Sequence, residues 1–210
     1  MREWSGLNGL EDWTLETFPG DETARAWART ALECKKGIWV FYSKAFGTGK
    51  TGILVAIVNA CLDRGVPALY QSVPSMLDRL RSAYENESYE DLLETLKTIP
   101  VLALDEFHRF KNTEWAQEKI FQIVDDRYMK WSSRLTLVAT NNEMDCAEDD
   151  PIVSRFRDSQ RSHLIAVSGG DLRPIAKEIC EQTLVSKTSK PTRGKSVVVA
   201  DHKRIRQSVP

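Results

Sequence analysis

Residues Gly37 to Gly65 read GIWVFYSKAFGTGKTGILVAIVNACLDRG. The run from Ile38 to Tyr42 is apolar, short and rich in β-formers, which predicts a buried strand. A glycine-containing loop follows and ends in Gly47, Thr48, Gly49, Lys50 and Thr51. The run from Ile53 to Leu62 then has helical character, and Gly65 stops it. Strand, glycine loop, Lys-Thr and helix in that order form a phosphate-binding loop. Glycines let backbone N–H groups turn inward around phosphate oxygens, and the helix aims its positive end at the same anion. Lys50 is expected on the β- and γ-phosphates of ATP, with the Thr51 hydroxyl on Mg²⁺. Gly47, Thr48, Gly49 and Gly52 complete the expected nucleotide cradle. The usual pattern opens with glycine where this chain has Lys44, and in isolation GTGKT could be a mere turn before a helix. The strand and helix around it favour the cradle.

A second strand is predicted from Ile99 into Asp105 and Glu106, which places two acids at a strand's C-terminal edge. Ligands bind at that edge of open α/β sheets. This is a Walker B pattern. Asp105 is expected to hold Mg²⁺ through water, and Glu106 to polarise the attacking water. A further strand, Arg134 to Thr140, ends in Asn141 and Asn142. An amide at that tip would lie between the two Walker elements, where it can hold the lytic water or the γ-phosphate; Asn-Asn as a plain turn is the alternative.

The remaining pattern alternates in the same way. Asp21 to Lys36 reads as a helix with Asp21 as its cap. Val66 to Val73 reads as a strand, followed by a helix opened by Pro74 and Ser75 and by a short helix from Tyr89 to Lys97. Thr113 caps a helix that runs to Tyr128, with Ala116, Ile120, Ile123 and Val124 as its buried stripe. Asp150-Pro151 opens a short segment, PIVSRFRDSQR. Ser162 to Val167 is a fifth strand, and Asp171 caps a last helix. Five strands alternating with helices predict a parallel α/β sheet flanked by helices, with a short C-terminal lid element. Three regions follow: an arm and leading helix over 1–36, the core over 37–185, and a tail over 186–210. In the arm, Trp4, Trp13 and Phe18 either anchor the segment or wall an adenine pocket.

Composition narrows the function. Of the 210 residues 41% are apolar, enough for a core, and net charge is −1, so the whole chain has no nucleic-acid signature. The tail carries seven Lys or Arg and one acid, about +6, which leaves about −7 on the rest. Such a tail is expected to be disordered in isolation. Cys34, Cys61, Cys146 and Cys180 are scattered and read as reduced thiols of a cytoplasmic protein. No stretch is long and apolar enough to span a membrane. His108, His163 and His202 are scattered and suggest no metal site.

Together these features resemble AAA+ ATPases, and within them the DnaC/IstB-like group of bacterial and phage helicase loaders and transposition helper ATPases. The resemblance rests on GTGKT at 47–51, VLALDEF at 101–107, TEWAQEKIFQIVDDRY at 113–128, TLVATNN at 136–142 and SRFRD at 154–158. It covers roughly residues 15–180. It implies ATP and Mg²⁺ as cofactors, Asn141 as sensor 1, Arg155 as an arginine finger acting on a neighbouring subunit, and Arg173 as sensor 2. It also implies assembly on ATP binding and a replicative helicase or a transposase as partner. With about 35 residues ahead of the first strand, the chain is expected to lack the partner-binding domain that such loaders carry there.

The stretch FHRFK, residues 107–111, interleaves aromatics with bases. Phe107, Arg109 and Lys111 are therefore candidates for stacking on and neutralising single-stranded DNA. A solvated loop with one buried phenylalanine is the alternative. The leading functional expectation is an ATP-hydrolysing accessory protein of DNA replication, a DnaC-like helicase loader. An IstB/TnsC-like transposition helper is the close alternative. A small-molecule P-loop phosphotransferase, or an ATP-binding module that barely hydrolyses, are those of other classes.

Overall fold

The computed structural model describes residues 5–7, 9–10, 12–84, 88–111, 113–142 and 150–172. Arg173, the predicted final helix beyond Leu172 and the basic tail lie outside them. The elements run α1 (Glu22–Cys34), β1 (Gly37–Tyr42), α2 (Lys50–Asp63), β2 (Ala68–Ser72), α3 (Val73–Ala83) and α4 (Tyr89–Thr98). They continue with β3 (Val101–Asp105), α5 (Glu114–Met129), β4 (Leu135–Thr140), α6 (Pro151–Arg157) and β5 (Ser162–Ala166). Every strand pairing is parallel, and the sheet order is β2-β3-β4-β1-β5.

Strand residues alternate between two cores, as the period of two requires. Trp39, Phe41, Ala103, Leu135 and Leu137 face α1 and α2. Ile38, Val40, Leu102, Leu104 and Val138 face α3 to α6. Covered on both faces, β1, β3 and β4 read as continuous apolar runs. Helix α2 is buried nearly all round, because the sheet lies on one side and α1 with the N-terminal arm on the other.

Local chemistry sets the boundaries. The Asp21 carboxylate accepts from the Thr23 and Ala24 amides and starts α1. That helix stops at Cys34, where Lys35 turns left-handed, two residues before the predicted end. The predicted strand from Val66 shortens to Ala68–Ser72, since Ser72 already caps α3 by accepting from the Ser75 amide. Thr113 caps α5 as predicted. The segment after Asp150 is helical, because Asp150 accepts from the Ile152 and Val153 amides and Pro151 takes a first-turn position.

The stripe of α5 holds one residue that hydrophobic periodicity passes over. Arg127 is fully buried. Its guanidinium donates to the carbonyls of Leu96, Lys97, Ile99 and Leu135 and to the Thr136 hydroxyl, at 2.7–3.2 Å. These acceptors come from the end of α4, the turn into β3 and the start of β4. Burial pulls the guanidinium down to about 9.

Arg127→Leu should therefore cost about 3 kcal/mol or more, because it leaves several buried acceptors unanswered. Arg127→Lys should recover only part of that loss. Urea denaturation measures both, and a Leu variant as stable as the parent would refute the argument.

Candidate active site

Helix α2 begins at Lys50 itself, so the lysine is a first-turn residue whose position the helix sets. Gly47 and Gly49 adopt φ of 75° and 93°, the left-handed region that glycine enters at no steric cost. Lys44 is exposed, and among the described residues only Lys35 and Glu106 are non-glycine with positive φ. Position 44 therefore does not require glycine, which accounts for the departure from the usual motif. The Lys50 ammonium lies on the Ala45 carbonyl at 3.0 Å, the Thr48 hydroxyl at 3.2 Å and the Ser43 carbonyl at 3.5 Å. Burial lowers its pKa and the charge of Asp105 opposes that shift.

The Thr51 hydroxyl donates to Asp105 Oδ2 at 2.7 Å. These residues lie far apart in sequence, and their contact joins the start of α2 to the end of β3. The Tyr70 hydroxyl, from β2, donates to the same oxygen at 2.7 Å. The Glu106 amide donates to Oδ1 at 2.8 Å. Burial, followed by the charge of Asp105, pushes the Tyr70 hydroxyl strongly upward, so it remains a donor. Tyr70 was not singled out in the sequence: a half-buried tyrosine in a strand reads as packing.

Strand β3 ends at Asp105, and Glu106 turns off it with φ of 52°. That conformation is costly for a residue with a Cβ and here re-aims the carboxylate. The carboxylate pairs with Arg109 at 2.9 Å. Phe107 packs its ring against Phe110 and Phe156, on the core under α6. It anchors the loop, so of the three candidate DNA contacts only Arg109 and Lys111 are exposed.

Strand β4 lies between β1 and β3, so its tip stands between the two Walker elements, as predicted. The Asn141 side-chain amide donates to the Ala45 carbonyl at 3.2 Å. Its backbone N–H donates to His108 Nδ1 at 3.0 Å. His108 thereby belongs to the site although it is scattered in sequence. Burial and then the Arg109 charge lower its pKa, which favours neutral imidazole.

The arm closes the other side. Phe18 is buried and Trp13 half-buried, and both line an open cleft of about 330 Å³ shared with the loop, Asp105, Glu106 and Asn141. Trp13 and Phe18 thus both anchor the arm and line the cleft, and Trp4 lies outside the described residues. Asn59 donates to the carbonyls of Leu10 and Trp13, and the Tyr70 amide donates to the Ser5 carbonyl. A Cβ on Gly49 would stand 2.2 Å from Phe18, and one on Gly52 would stand 2.3 Å from Phe18 and 2.6 Å from Trp13.

Arg155 lies away from the cleft. It pairs with Asp125 on α5, donates to the Pro151 carbonyl and stacks over Phe121 and Tyr128. Arg157, on the last turn of α6, is exposed. Among the described residues no three His, Cys, Asp or Glu side chains gather as a metal cluster. The donors at hand are one hydroxyl and one carboxylate, hard oxygens that suit Mg²⁺ sharing its shell with phosphate and water. No helix among the described residues is long and apolar enough to cross a membrane.

The family model described as IstB-like ATP binding protein matches residues 26–173. The replicative helicase loader DnaI of Bacillus subtilis is 29% identical over 92 residues, 44% of this chain and 30% of that protein. An ATP-binding protein of insertion sequence IS1162 from Pseudomonas fluorescens is 32% identical over 90 residues, 43% of this chain and 39% of that one. The aligned segments thus span well under half of each relative. Among solved structures, the replication initiator DnaA bound to AMPPCP and single-stranded DNA superposes with a TM-score of 0.65. It is 23% identical, over 81% of this chain and 55% of that one. That likeness is one of fold.

Gly52→Ala should release the arm while leaving the core cooperative. The new methyl meets two ring edges that can swing away, at an overpacking cost of about 1–3 kcal/mol. Limited proteolysis should then cut within residues 5–20 much faster than in the parent, and equal cutting would show that the rings do not hold the arm.

Proposed function

Since the chain belongs to the IstB-like ATP-binding family, we propose that it binds Mg·ATP between the loop and the β3 and β4 tips, and hydrolyses it. The observation that carries this reading is the Thr51–Asp105 hydrogen bond beside the buried Lys50 ammonium. A hydroxyl, a carboxylate and a fixed cation meet there in a cradle built of glycine, a donor set made for a metal-bound triphosphate.

Lys50 reaches the β- and γ-phosphates, and the loop amides wrap the phosphate oxygens. Thr51, and Asp105 through water, would hold Mg²⁺, with Tyr70 fixing the carboxylate. The ion, when bound, neutralises charge on the phosphate oxygens. Glu106 accepts the proton of the attacking water, and to do so it exchanges its pairing with Arg109 for that water. Asn141 orients the water or the terminal phosphate from the strand between. Trp13 and Phe18 wall the base, and Arg173 takes the sensor 2 role. Arg155 reaches the site of a neighbouring subunit after leaving Asp125, which makes activity dependent on assembly.

The biological role we infer is that of a cytoplasmic accessory ATPase of DNA replication, a helicase loader that engages single-stranded DNA and a replicative helicase. Similarity to the helicase loader DnaI supports it. A transposition helper acting with a transposase is the second reading, supported by the insertion-sequence relative. Arg109 and Lys111 are the exposed bases beside Glu106 that would meet DNA phosphate.

Lys50→Ala should abolish binding of a fluorescent ATP analogue, since a fixed charge leaves the cradle. Glu106→Gln should bind as the parent does and lose about 10²–10⁴ in turnover. Normal ATP affinity in the first variant, or an unchanged kcat in the second, would refute these roles.

Arg155→Ala should bind ATP and fail to turn it over. Mixed with Glu106→Gln, it should regain part of the activity, because some interfaces then pair an intact Glu106 with an intact Arg155. Mixtures that assemble but stay inactive would exclude a finger acting between subunits.

A further inference from the structure

Three hydrogen bonds converge on the Asp105 carboxylate. Its Oδ2 accepts from the Thr51 and Tyr70 hydroxyls, each at 2.7 Å, and its Oδ1 from the Glu106 amide at 2.8 Å. A carboxylate offers about four lone-pair positions, so the two hydroxyls fill Oδ2 and about one position stays open on Oδ1. Thr51 and Asp105 line the cleft, whereas Tyr70, from β2, does not itself line it. In the β2–β3 register Tyr70 lies beside Ala103, two residues before Asp105 on the same face, so its ring spans the height to the carboxylate. The strand is held there from outside. The Tyr70 N–H donates to the Ser5 carbonyl at 2.7 Å, and a Cβ on Gly6 would stand 2.1 Å from the Tyr70 carbonyl oxygen. Burial and the Asp105 charge keep the hydroxyl protonated, and hence a donor.

We propose that Tyr70 is a positioning residue that sets the metal preference of the site: by filling a lone pair of Oδ2 it limits Asp105 to a water-mediated contact with the ion, which favours Mg²⁺ over Ca²⁺. The inference rests on the Mg·ATP site proposed above. Mg²⁺ dehydrates reluctantly and keeps several waters, so a carboxylate that meets one of those waters suits it. Ca²⁺ takes about six to eight oxygens and gathers carboxylates directly, often by both oxygens. An Asp105 whose Oδ2 is filled by two hydroxyls cannot offer both of its oxygens. Thr51 alone does not impose this limit, since its hydroxyl fills one position of Oδ2 and leaves the other. Removing the Tyr70 hydroxyl reopens that position, and the site then accommodates Ca²⁺ better.

The test is calorimetric titration of the full chain with AMPPNP in Mg²⁺, in Ca²⁺ and in EDTA. Tyr70→Phe keeps the ring and removes only the hydroxyl. It should leave the affinity in EDTA within about twofold of the parent and lower the preference for Mg²⁺ over Ca²⁺ about fivefold or more, the scale of one hydrogen bond. An unchanged preference, or a parent that shows none, would overturn the proposal. Equal weakening under all three conditions would overturn it too, since Tyr70 would then serve packing alone. A parent that binds AMPPNP in none of the three, or equally well in EDTA and in Mg²⁺, would instead overturn the Mg·ATP site and this inference with it. Should Tyr70→Phe not fold, the parent decides, labelled with carbon-13 aspartate and loaded with AMPPNP and Mn²⁺ in place of Mg²⁺. In electron–nuclear double resonance its carboxylate carbons should couple only weakly to the ion, as they do across a water. The strong coupling of a directly bound carboxylate would refute the proposal.

Discussion

A single buried guanidinium holds the base of this sheet together. Arg127 reaches from α5 to the carbonyls that end α4, precede β3 and open β4. It thereby fixes where β3 and β4 begin. Parallel pairing then transmits that register along the strands: Leu104 lies beside Val138, and Tyr42 beside Thr140. The tips of β1, β3 and β4 consequently finish at one level. Side chains that are remote in sequence, Lys50, Asp105 and Asn141, converge there. A charge buried without a carboxylate partner is normally unfavourable, and five oxygen acceptors make it tolerable.

At the opposite edge the structure concentrates polar groups in a small volume. Asp105 receives donors from three elements, namely the start of α2, β2 and its own turn. Two of them meet at Oδ2 and the third at Oδ1, so both carboxylate oxygens are held. The backbone of Glu106 adopts a conformation that a residue with a Cβ resists, and the surrounding hydrogen bonds sustain it. This strain lies on the acid assigned to water activation and not on the acid assigned to the metal. The pairing with Arg109 is an exposed ion pair, and such pairs are weak, so Glu106 can exchange partners at small cost.

The glycines of the loop answer to two different constraints. Gly47 and Gly49 need left-handed backbone, a local requirement. Gly52 has ordinary helical geometry and is small because Phe18 and Trp13 press on it. The arm is thus part of the site. It reaches β2 through Ser5 and α2 through Asn59, so the wall of the cleft and the strand that carries Tyr70 are tied to the same segment.

Much of this was legible in the sequence because it depends on short-range rules. Apolar runs of strand length, caps at Asp21 and Thr113, and glycines before Lys-Thr marked the elements and the phosphate loop. The acids at the end of β3 and the amides after β4 marked the edge that carries the candidate site, since parallel α/β sheets present ligands there. Tertiary structure decided what spacing cannot encode. Arg127 reads as an exposed charge on a helix until its carbonyl partners, from two other elements, are in place. Tyr70 and His108 look like packing residues until β2 and the β3 turn are brought against Asp105 and Asn141. Phe107 reads as a stacking platform until Phe156 folds against it. Local pattern reports which residues suit a strand or a loop; only the packing of distant segments determines which polar atoms meet, because hydrogen bonds act over about 3 Å whatever the separation along the chain.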